Sequence, residues 1–399
     1  MRPVVSQSAR RPERILDVHL IGGFANRMIQ YMVVRRIAAE VEGCRISNVS
    51  LPEWNIDHPV VEGGPSPETK VLVSRGDLDI AEIVRLLSSG EETRVNFKSY
   101  AQWFPNFPDL DFCRSIFPSS EEEYPGFGPE FLVCNVRGGD ILDGRFANYV
   151  LLPIKFYEEL VRTTGLKLVF TGQIEDNPYC NSLRQRFPAA TFHKSRGPFA
   201  DFQTFRNSKN VVMAVSTFSW LAAWLSRAEM IVFPMSGILN PIQCPAVDLI
   251  PYPDGRYRFY IFPNNYAVPL DQVEASHEGL EGRWQPLAME MIPKIRASVY
   301  RCPGTFLDQF VSMFDEEFYL KKNPDVARVV RSGRLARGLD HYVAYGFGEG
   351  RPGFDFDDGW YRAEYPAAAM EVERGKYPDL RHHFVLVGAG LGYQPVRNK

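Results

Sequence analysis

No run of apolar residues in this chain approaches the roughly 20 needed to span a bilayer. No apolar stretch of signal-peptide length follows the polar start, Met1 to Arg14, which carries four arginines. The expectation is a flexible leader over residues 1–14 and a cytoplasmic protein, with a peripheral place at the inner membrane as the other option. Cysteine is scarce and scattered: Cys44, Cys113, Cys134, Cys180, Cys244 and Cys302 form neither a Cys-x-x-Cys nor a Cys/His cluster at metal spacing. That excludes a zinc module and predicts reduced, mostly buried thiols. Positive charge is not in surplus either. With 45 Lys and Arg against 48 Asp and Glu the formal net charge is -3, which argues against a nucleic-acid partner and makes any basic pocket a local feature. A Gly-x-x-x-x-Gly-Lys-Ser/Thr phosphate loop, a Gly-x-Ser-x-Gly elbow and a His-Glu-x-x-His helix are all missing.

What is present is a globular composition: 399 residues, 45% hydrophobic and 23% charged, enough for two or three packed domains. Ile15 to Ile21 reads as a strand and Met28 to Glu40 as a helix with apolar positions at Met28, Ile29, Met32, Val33 and Ile37. A second series runs through a strand at Phe131–Val136, a helix at Pro153–Thr163, and strands at Leu166–Phe170 and Val211–Val215. Strands alternating with helices imply parallel sheets. A stretch rich in Pro and aromatics, Tyr100 to Gly128, separates the two series and reads as the crossing between two α/β lobes, with a binding cleft expected between them. The expected division is an N-terminal α/β lobe over 15–125, a C-terminal α/β lobe over 126–300, and a helical module over 301–399.

Three segments place small or hydrogen-bonding residues where an apolar strand gives way to an apolar helix. They are Gly22-Gly23-Phe24-Ala25-Asn26-Arg27-Met28-Ile29-Gln30-Tyr31, Asn135-Val136-Arg137-Gly138-Gly139-Asp140, and Ser216-Thr217-Phe218-Ser219-Trp220-Leu221-Ala222-Ala223-Trp224-Leu225. At such junctions backbone N–H groups and helix N-termini gather around anions.

Their order and content resemble the α-1,2-fucosyltransferase family, GDP-fucose-dependent glycosyltransferases with bacterial members. The family carries Gly-Gly-x-Gly-Asn-Gln-x-x-Gln-Tyr, then His-x-Arg-Arg-Gly-Asp, then Ser-Ser/Thr-Phe-Ser-Trp-Trp-x-Ala-Trp-Leu. The resemblance covers about residues 15 to 265 and implies a fold of class α/β, with two Rossmann-like lobes in a GT-B-like layout. It also implies inverting transfer of L-fucose from GDP-fucose to a sugar hydroxyl. Departures are plain: Ala25 replaces Gly, Arg27 replaces Gln, Asn135 replaces His, Gly138 replaces the second Arg, and Thr171-Gly172-Gln173 stands where the family often has Ser-Asp-Asp.

Carried onto this chain, the resemblance makes Arg137 the stabiliser of the leaving diphosphate, a task a planar guanidinium performs bidentately without a metal. Asp140 is either the base for the acceptor hydroxyl or a brace for Arg137 and its loop. Gly22, Gly23, Asn26, Ser216, Thr217 and Ser219 would bind the donor, with Asn26 also suited to capping a helix and the hydroxyls to an ordinary cap. Glu175 and Asp176 would take base or ribose hydrogen bonds. Arg27 either substitutes for the cation missing at Gly138 or lies on a solvated helix face. His19 and His193 are given no role. No cofactor is expected beyond the nucleotide-sugar donor, no metal, and no Asp-x-Asp in the matched region suited to a divalent cation.

The tail holds an internal repeat. Phe314-Asp315-Glu316-Glu317-Phe318-Tyr319 returns as Phe356-Asp357-Asp358-Gly359-Trp360-Tyr361, and His341-Tyr342-Val343-Ala344-Tyr345-Gly346 as His383-Phe384-Val385-Leu386-Val387-Gly388, both at an offset of 42. Each copy resembles a short Phe-Asp-x-x-x-Tyr-Leu-x-x-Asn-Pro-Asp-Val module that accompanies some bacterial surface-polysaccharide enzymes. Docking to a protein or membrane surface and simple capping of the lobes are both open for it. The functional expectation is thus a fucosyltransferase-like enzyme acting on a glycan or lipid-linked saccharide. The alternatives are a transferase using another nucleotide sugar, or a non-catalytic glycan-binding scaffold on a degenerate transferase fold.

Overall fold

The computed structural model describes residues 13–62, 70–74, 78–139, 141–142, 144, 146–299, 310–311, 313–333, 335–342, 346–347, 349, 351–373, 377 and 379–397. Most of the expected leader, Cys302, Asp140 and the segment Val343–Tyr345 of the repeat lie outside the described residues. The chain divides into two compact units, Met1–Pro118 and Ser119–Lys399.

In the first unit, β1 (Arg14–Val18) leads through Gly22-Gly23 into α1 (Phe24–Glu40). Then follow β2 (Cys44–Ser47), a hairpin of β3 (Val49–Leu51) and β4 (Ile56–His58), β5 (Lys70–Ser74), α2 (Ile80–Ser89), β6 (Arg94–Ser99) and α3 (Leu110–Ile116). The sheet has the order β2-β1-β6-β5, every pair parallel. Two Asp-x-Asp pairs fall in this unit, Asp77-x-Asp79 and Asp109-x-Asp111. Asp79 and Asp109 are helix N-caps, accepting from the backbone N–H of Glu82 and Phe112.

The second unit opens with β7 (Phe131–Arg137), α4 (Ile154–Thr164), β8 (Lys167–Gln173), α5 (Pro178–Arg186), β9 (Thr191–Phe192), α6 (Pro198–Arg206) and β10 (Asn210–Val212). It continues with α7 (Thr217–Leu225), β11 (Met230–Met235), β12 (Tyr257–Ile261), α8 (Val273–Glu278), β13 (Gln285–Leu287) and α9 (Ile292–Val299). The seven strands lie in the order β13-β12-β11-β10-β7-β8-β9, parallel except for the edge strand β13. The chain therefore starts in the middle of the sheet, moves outward through β8 and β9, then returns to the other flank of β7 with β10. The reversal falls between β7 and β10, where doubly wound sheets leave a crevice at the carboxyl ends of their strands. Leu132, Val133, Cys134, Val169, Phe170, Val211 and Val212 are buried and form its core, as continuous apolar runs in a sheet covered on both faces require.

Beyond α9 come α10 (Glu316–Lys322), α11 (Pro324–Arg331) and α12 (Gly338–His341), then α13 (Asp358–Glu364), α14 (Pro366–Glu373) and α15 (Leu380–His383). The 42-residue offset is a structural repeat. Asp315 and Asp357 cap α10 and α13, and the hydroxyls of Tyr319 and Tyr361 meet Nδ1 of His341 and His383 at 2.9 and 3.0 Å. The backbone N–H of Asp315 and Asp357 donates to the carbonyls of Gly353 and Pro395. The fold class is therefore α/β, two Rossmann-like parallel sheets followed by a helical repeat module.

Candidate functional site

Arg137 is the last residue of β7, and Ser216 caps α7 directly after β10, so both stand at the carboxyl edge on either side of the strand-order reversal. Ser216 Oγ accepts from the Ser219 backbone N–H at 3.2 Å, and Ser219 Oγ donates to the Ala214 carbonyl at 2.8 Å. Ser216, Thr217 and Ser219 are all buried. Two of the three hydroxyls, and the Ser219 N–H, are thus engaged in the cap. The other end of α7 receives cations. Arg206 Nε donates to the Leu225 carbonyl at 3.3 Å, and Arg256 donates to the carbonyls of Ser226 and Trp224 at 2.6 and 3.2 Å while paired with Asp254. The dipole of this helix is satisfied at its carboxyl end, and its positive end lies at the carboxyl edge of the sheet.

The guanidinium of Arg137 lies over the ring of Tyr149, 4.4 Å from its centroid. Register pairs Asn135 with Thr171 and Arg137 with Gln173 across β7 and β8, so these four share one face. Asn135 and Thr171 are buried, and Thr171 Oγ1 has no hydrogen-bond partner among the described residues.

Two departures from the family pattern have a steric cause. A Cβ at position 138 would sit 2.5 Å from the Gln173 carbonyl oxygen and 2.9 Å from Cys180 Sγ, so no side chain fits where the family carries a second arginine. Gly172 has φ +95°, and a Cβ there would lie 2.5 Å from the Val136 carbonyl oxygen, which bars an aspartate. Glu175 and Asp176 lie exposed in the turn after β8, with Asp176 accepting from Asn181 Nδ2 at 2.7 Å.

In the first unit the glycine turn is held by Gln30, which accepts from the Ile21 N–H at 3.0 Å and donates to its carbonyl at 2.7 Å. Gly22 adopts φ +78°, beside the Asn26 carboxamide. Asn26 is not a cap, because α1 starts at Phe24 with Gly23 as its N-cap; its Oδ1 accepts from Gln102 Nε2 at 3.0 Å. Arg27 is half-buried on α1, and its Nη2 donates to the Ser50 carbonyl. His19 is exposed, and His193 packs edge-on to Phe127. Four of the cysteines, Cys113, Cys134, Cys180 and Cys244, are buried free thiols raised in pKa by burial, Cys244 to about 12. Among the described residues no group of three or more His, Cys, Asp or Glu gathers as for a metal ion, and no helix is long and apolar enough to cross a membrane.

The loop after β7 was not singled out in the sequence, yet it supports Arg137. The Ile238 N–H donates to the Asn148 carbonyl at 2.7 Å, the Ala267 N–H to the Ala147 carbonyl at 2.8 Å, and Gln243 Nε2 to Asn148 Oδ1 at 3.1 Å. Its partners lie about 90 to 120 residues downstream, beyond β11 and β12, and only Gly237 in the sequence hints at a close approach there.

No family model and no curated protein matches this chain in sequence. Among solved structures it is similar to POFUT1 in complex with GDP, at 13% identity over 54% of this chain and 95% of that one, with a TM-score of 0.33. It is similar to the E. coli heptosyltransferase WaaC with ADP, at 13% identity over 67% and 97%, with a TM-score of 0.32. A glycosyl transferase family 9 structure from Veillonella parvula DSM 2008 is similar at 11% identity over 72% and 97%, with a TM-score of 0.35. These are likenesses of chain path.

Proposed function

We propose that this protein is an inverting, metal-independent glycosyltransferase that moves L-fucose from GDP-fucose to a sugar hydroxyl of a glycan or lipid-linked saccharide. The observation that carries the reading is the placement of Arg137 and the amino end of α7 on the two sides of the strand-order reversal in the second sheet. A diphosphate bridging that point meets a bidentate guanidinium and a helix N-terminus together, which is positive potential without a metal. The acceptor oxygen attacks the anomeric carbon, the bond from that carbon to the phosphate oxygen breaks, and its electron pair goes to the leaving diphosphate. Arg137 is worth most at that moment, when the charge is greatest. The acceptor hydroxyl loses its proton to a base, and Asp140 is the residue proposed for it.

A panel of GDP, UDP, CMP and ADP with their common sugars, read by thermal shift on wild type and Arg137→Ala, tests this. Stabilisation by GDP and GDP-fucose that disappears in the variant supports it. Preference for another nucleotide moves the donor. Binding without transfer or hydrolysis favours the degenerate scaffold, a reading motivated by Gly138, whose surroundings exclude the second cation.

A further inference from the structure

We propose that Gln102 is the positioning residue for Asn26: at the carboxyl edge of the first sheet it fixes which end of that carboxamide is left to donate to a bound nucleotide sugar. This rests on the assignment of Asn26 to donor binding.

The first sheet has its own reversal of strand order. The chain passes from β1 outward to β2 and returns on the other flank of β1 with β6, so the crevice of this unit falls between the carboxyl ends of β1 and β6. Gly22-Gly23 and Asn26, in the first turn of α1, follow β1; Tyr100-Ala101-Gln102 follows β6. Asn26 is half-buried and Gln102 is buried. A carboxamide carries an acceptor at one end and two donors at the other. Because Gln102 Nε2 donates to Asn26 Oδ1 at 3.0 Å, the acceptor end is taken. The Nδ2 end has no hydrogen-bond partner among the described residues. A Cβ at Gly22 would come within 2.8 Å of Nδ2 and 3.0 Å of Tyr100 Cε1, so glycine there keeps the donor uncovered.

Gln102 is itself held beside a strained residue. Ala101 has φ +53° and is fully buried; the other non-glycine residues at positive φ among the described residues are Asn48 and Asn55, of a type that tolerates it. The Ala101 N–H donates to Ser99 Oγ at 3.0 Å, and its carbonyl accepts from the Trp103 N–H at 2.9 Å, closing a three-residue turn centred on Gln102. Strain of this kind persists only where the surroundings over-determine it, and it gathers at ligand sites. From α1, Gln30 Nε2 donates to the Asn26 carbonyl at 3.0 Å, so the main chain and the side chain of Asn26 are each held by a glutamine.

The test is GDP-fucose affinity by calorimetry, with melting temperature, on wild type, Asn26→Ala, Gln102→Met and Gln102→Glu, and on the two Gln102 variants in the Asn26→Ala background. Asn26→Ala is expected to weaken binding about 10-fold, the worth of one donated bond to a charged ligand. Gln102→Met keeps the length and lets the carboxamide turn, and is expected to weaken binding about 3-fold with an unchanged melting temperature. Gln102→Glu only accepts, draws Nδ2 to itself, and is expected to cost about 10-fold or more. In the Asn26→Ala background, Gln102→Met is expected to have no effect, and any effect of Gln102→Glu there measures direct repulsion by its charge. Both Gln102 variants at wild-type affinity, in a protein where Asn26→Ala weakens binding, overturn the inference and leave the assignment of Asn26 standing. Equal losses in the two backgrounds also overturn it, by making Gln102 a structural residue or a ligand contact in its own right. Asn26→Ala at wild-type affinity overturns the assignment of Asn26 and the inference with it, while Arg137→Ala still tests the transferase reading. Wild type that binds no nucleotide sugar overturns all three.

Discussion

Gly237 approaches Asn148 so closely that a Cβ on it would lie 2.2 Å from the Asn148 carbonyl oxygen, and it does so at φ +53°. Only glycine fits both the conformation and the gap. Gly237→Ala is expected to cost about 3 kcal/mol or more and to free the loop that carries Tyr149. Chemical denaturation measures the first effect, and nucleotide affinity the second.

A second arginine beside Arg137, Gly138→Arg, is expected to harm rather than help. Its Cβ would press on the Gln173 carbonyl and on Cys180 Sγ, parting the ends of β7 and β8. A loss of about 2 kcal/mol is expected by denaturant titration, with no gain in affinity for any nucleotide diphosphate.

Ser216 caps a helix buried along its whole length, from Thr217 through Leu225 except Phe218. Ser216→Ala is expected to lower stability by about 1 kcal/mol, the ordinary worth of an N-cap. Because the backbone N–H groups of the first turn remain, a nucleotide should still bind, and loss of all affinity would show that the hydroxyl itself is a ligand contact.

His277, on α8, is held neutral. Burial lowers its pKa to about 4, opposed in part by its hydrogen bond at 3.1 Å to the Leu151 carbonyl. Tyr179 packs on its ring. The unfolded chain takes up a proton near pH 6.5, while the folded one waits until about 4. The unfolded state therefore binds more protons in that window, so stability falls as pH drops from about 6.5 toward 4. His277→Gln is expected to flatten that slope, as followed by melting temperature against pH.

The two repeat units close differently. In the first, Arg351 donates to Asn323 and Asp325 and pairs with Glu349; at the equivalent places of the second, Tyr365 and Tyr393 stack at 4.0 Å and 3°. Raising salt from 0.1 to 1 M, which cuts the Debye length from about 10 to about 3 Å, is expected to erase most of the cost of Arg351→Ala and little of that of Tyr393→Ala.

Much of this was legible in the sequence where the cause is local. β1, β7 and β8 fall where apolar runs stand, α7 follows its Ser/Thr cap, and the 42-residue offset holds through caps, hydroxyls and main-chain closures. Local signals missed the start of α1, because a glycine cap with no side-chain bond leaves no mark, and apolar periodicity only begins at Met28. The cap suggested for Asn26 failed for a related reason, since its partner Gln102 comes from elsewhere in the first unit. The reversal of strand order, the cations at the carboxyl end of α7 and the anchors of the Tyr149 loop are long-range relations that no spacing records. The absent second arginine was visible as a departure, but its cause, the closeness of Gly138 to Cys180 and Gln173, needed the fold.

The closure of each C-terminal unit falls in the segment that follows it. Gly353, which completes the first unit, lies four residues before Asp357, the cap that opens the second. Phe347 packs against the cores of both. A cut at this joint takes the last bond from one unit and the first turn from the next, whereas inserting or removing a whole 42-residue period leaves every junction in phase. The module thus has a natural unit of length, and its reach can be altered in whole steps without redesigning either end.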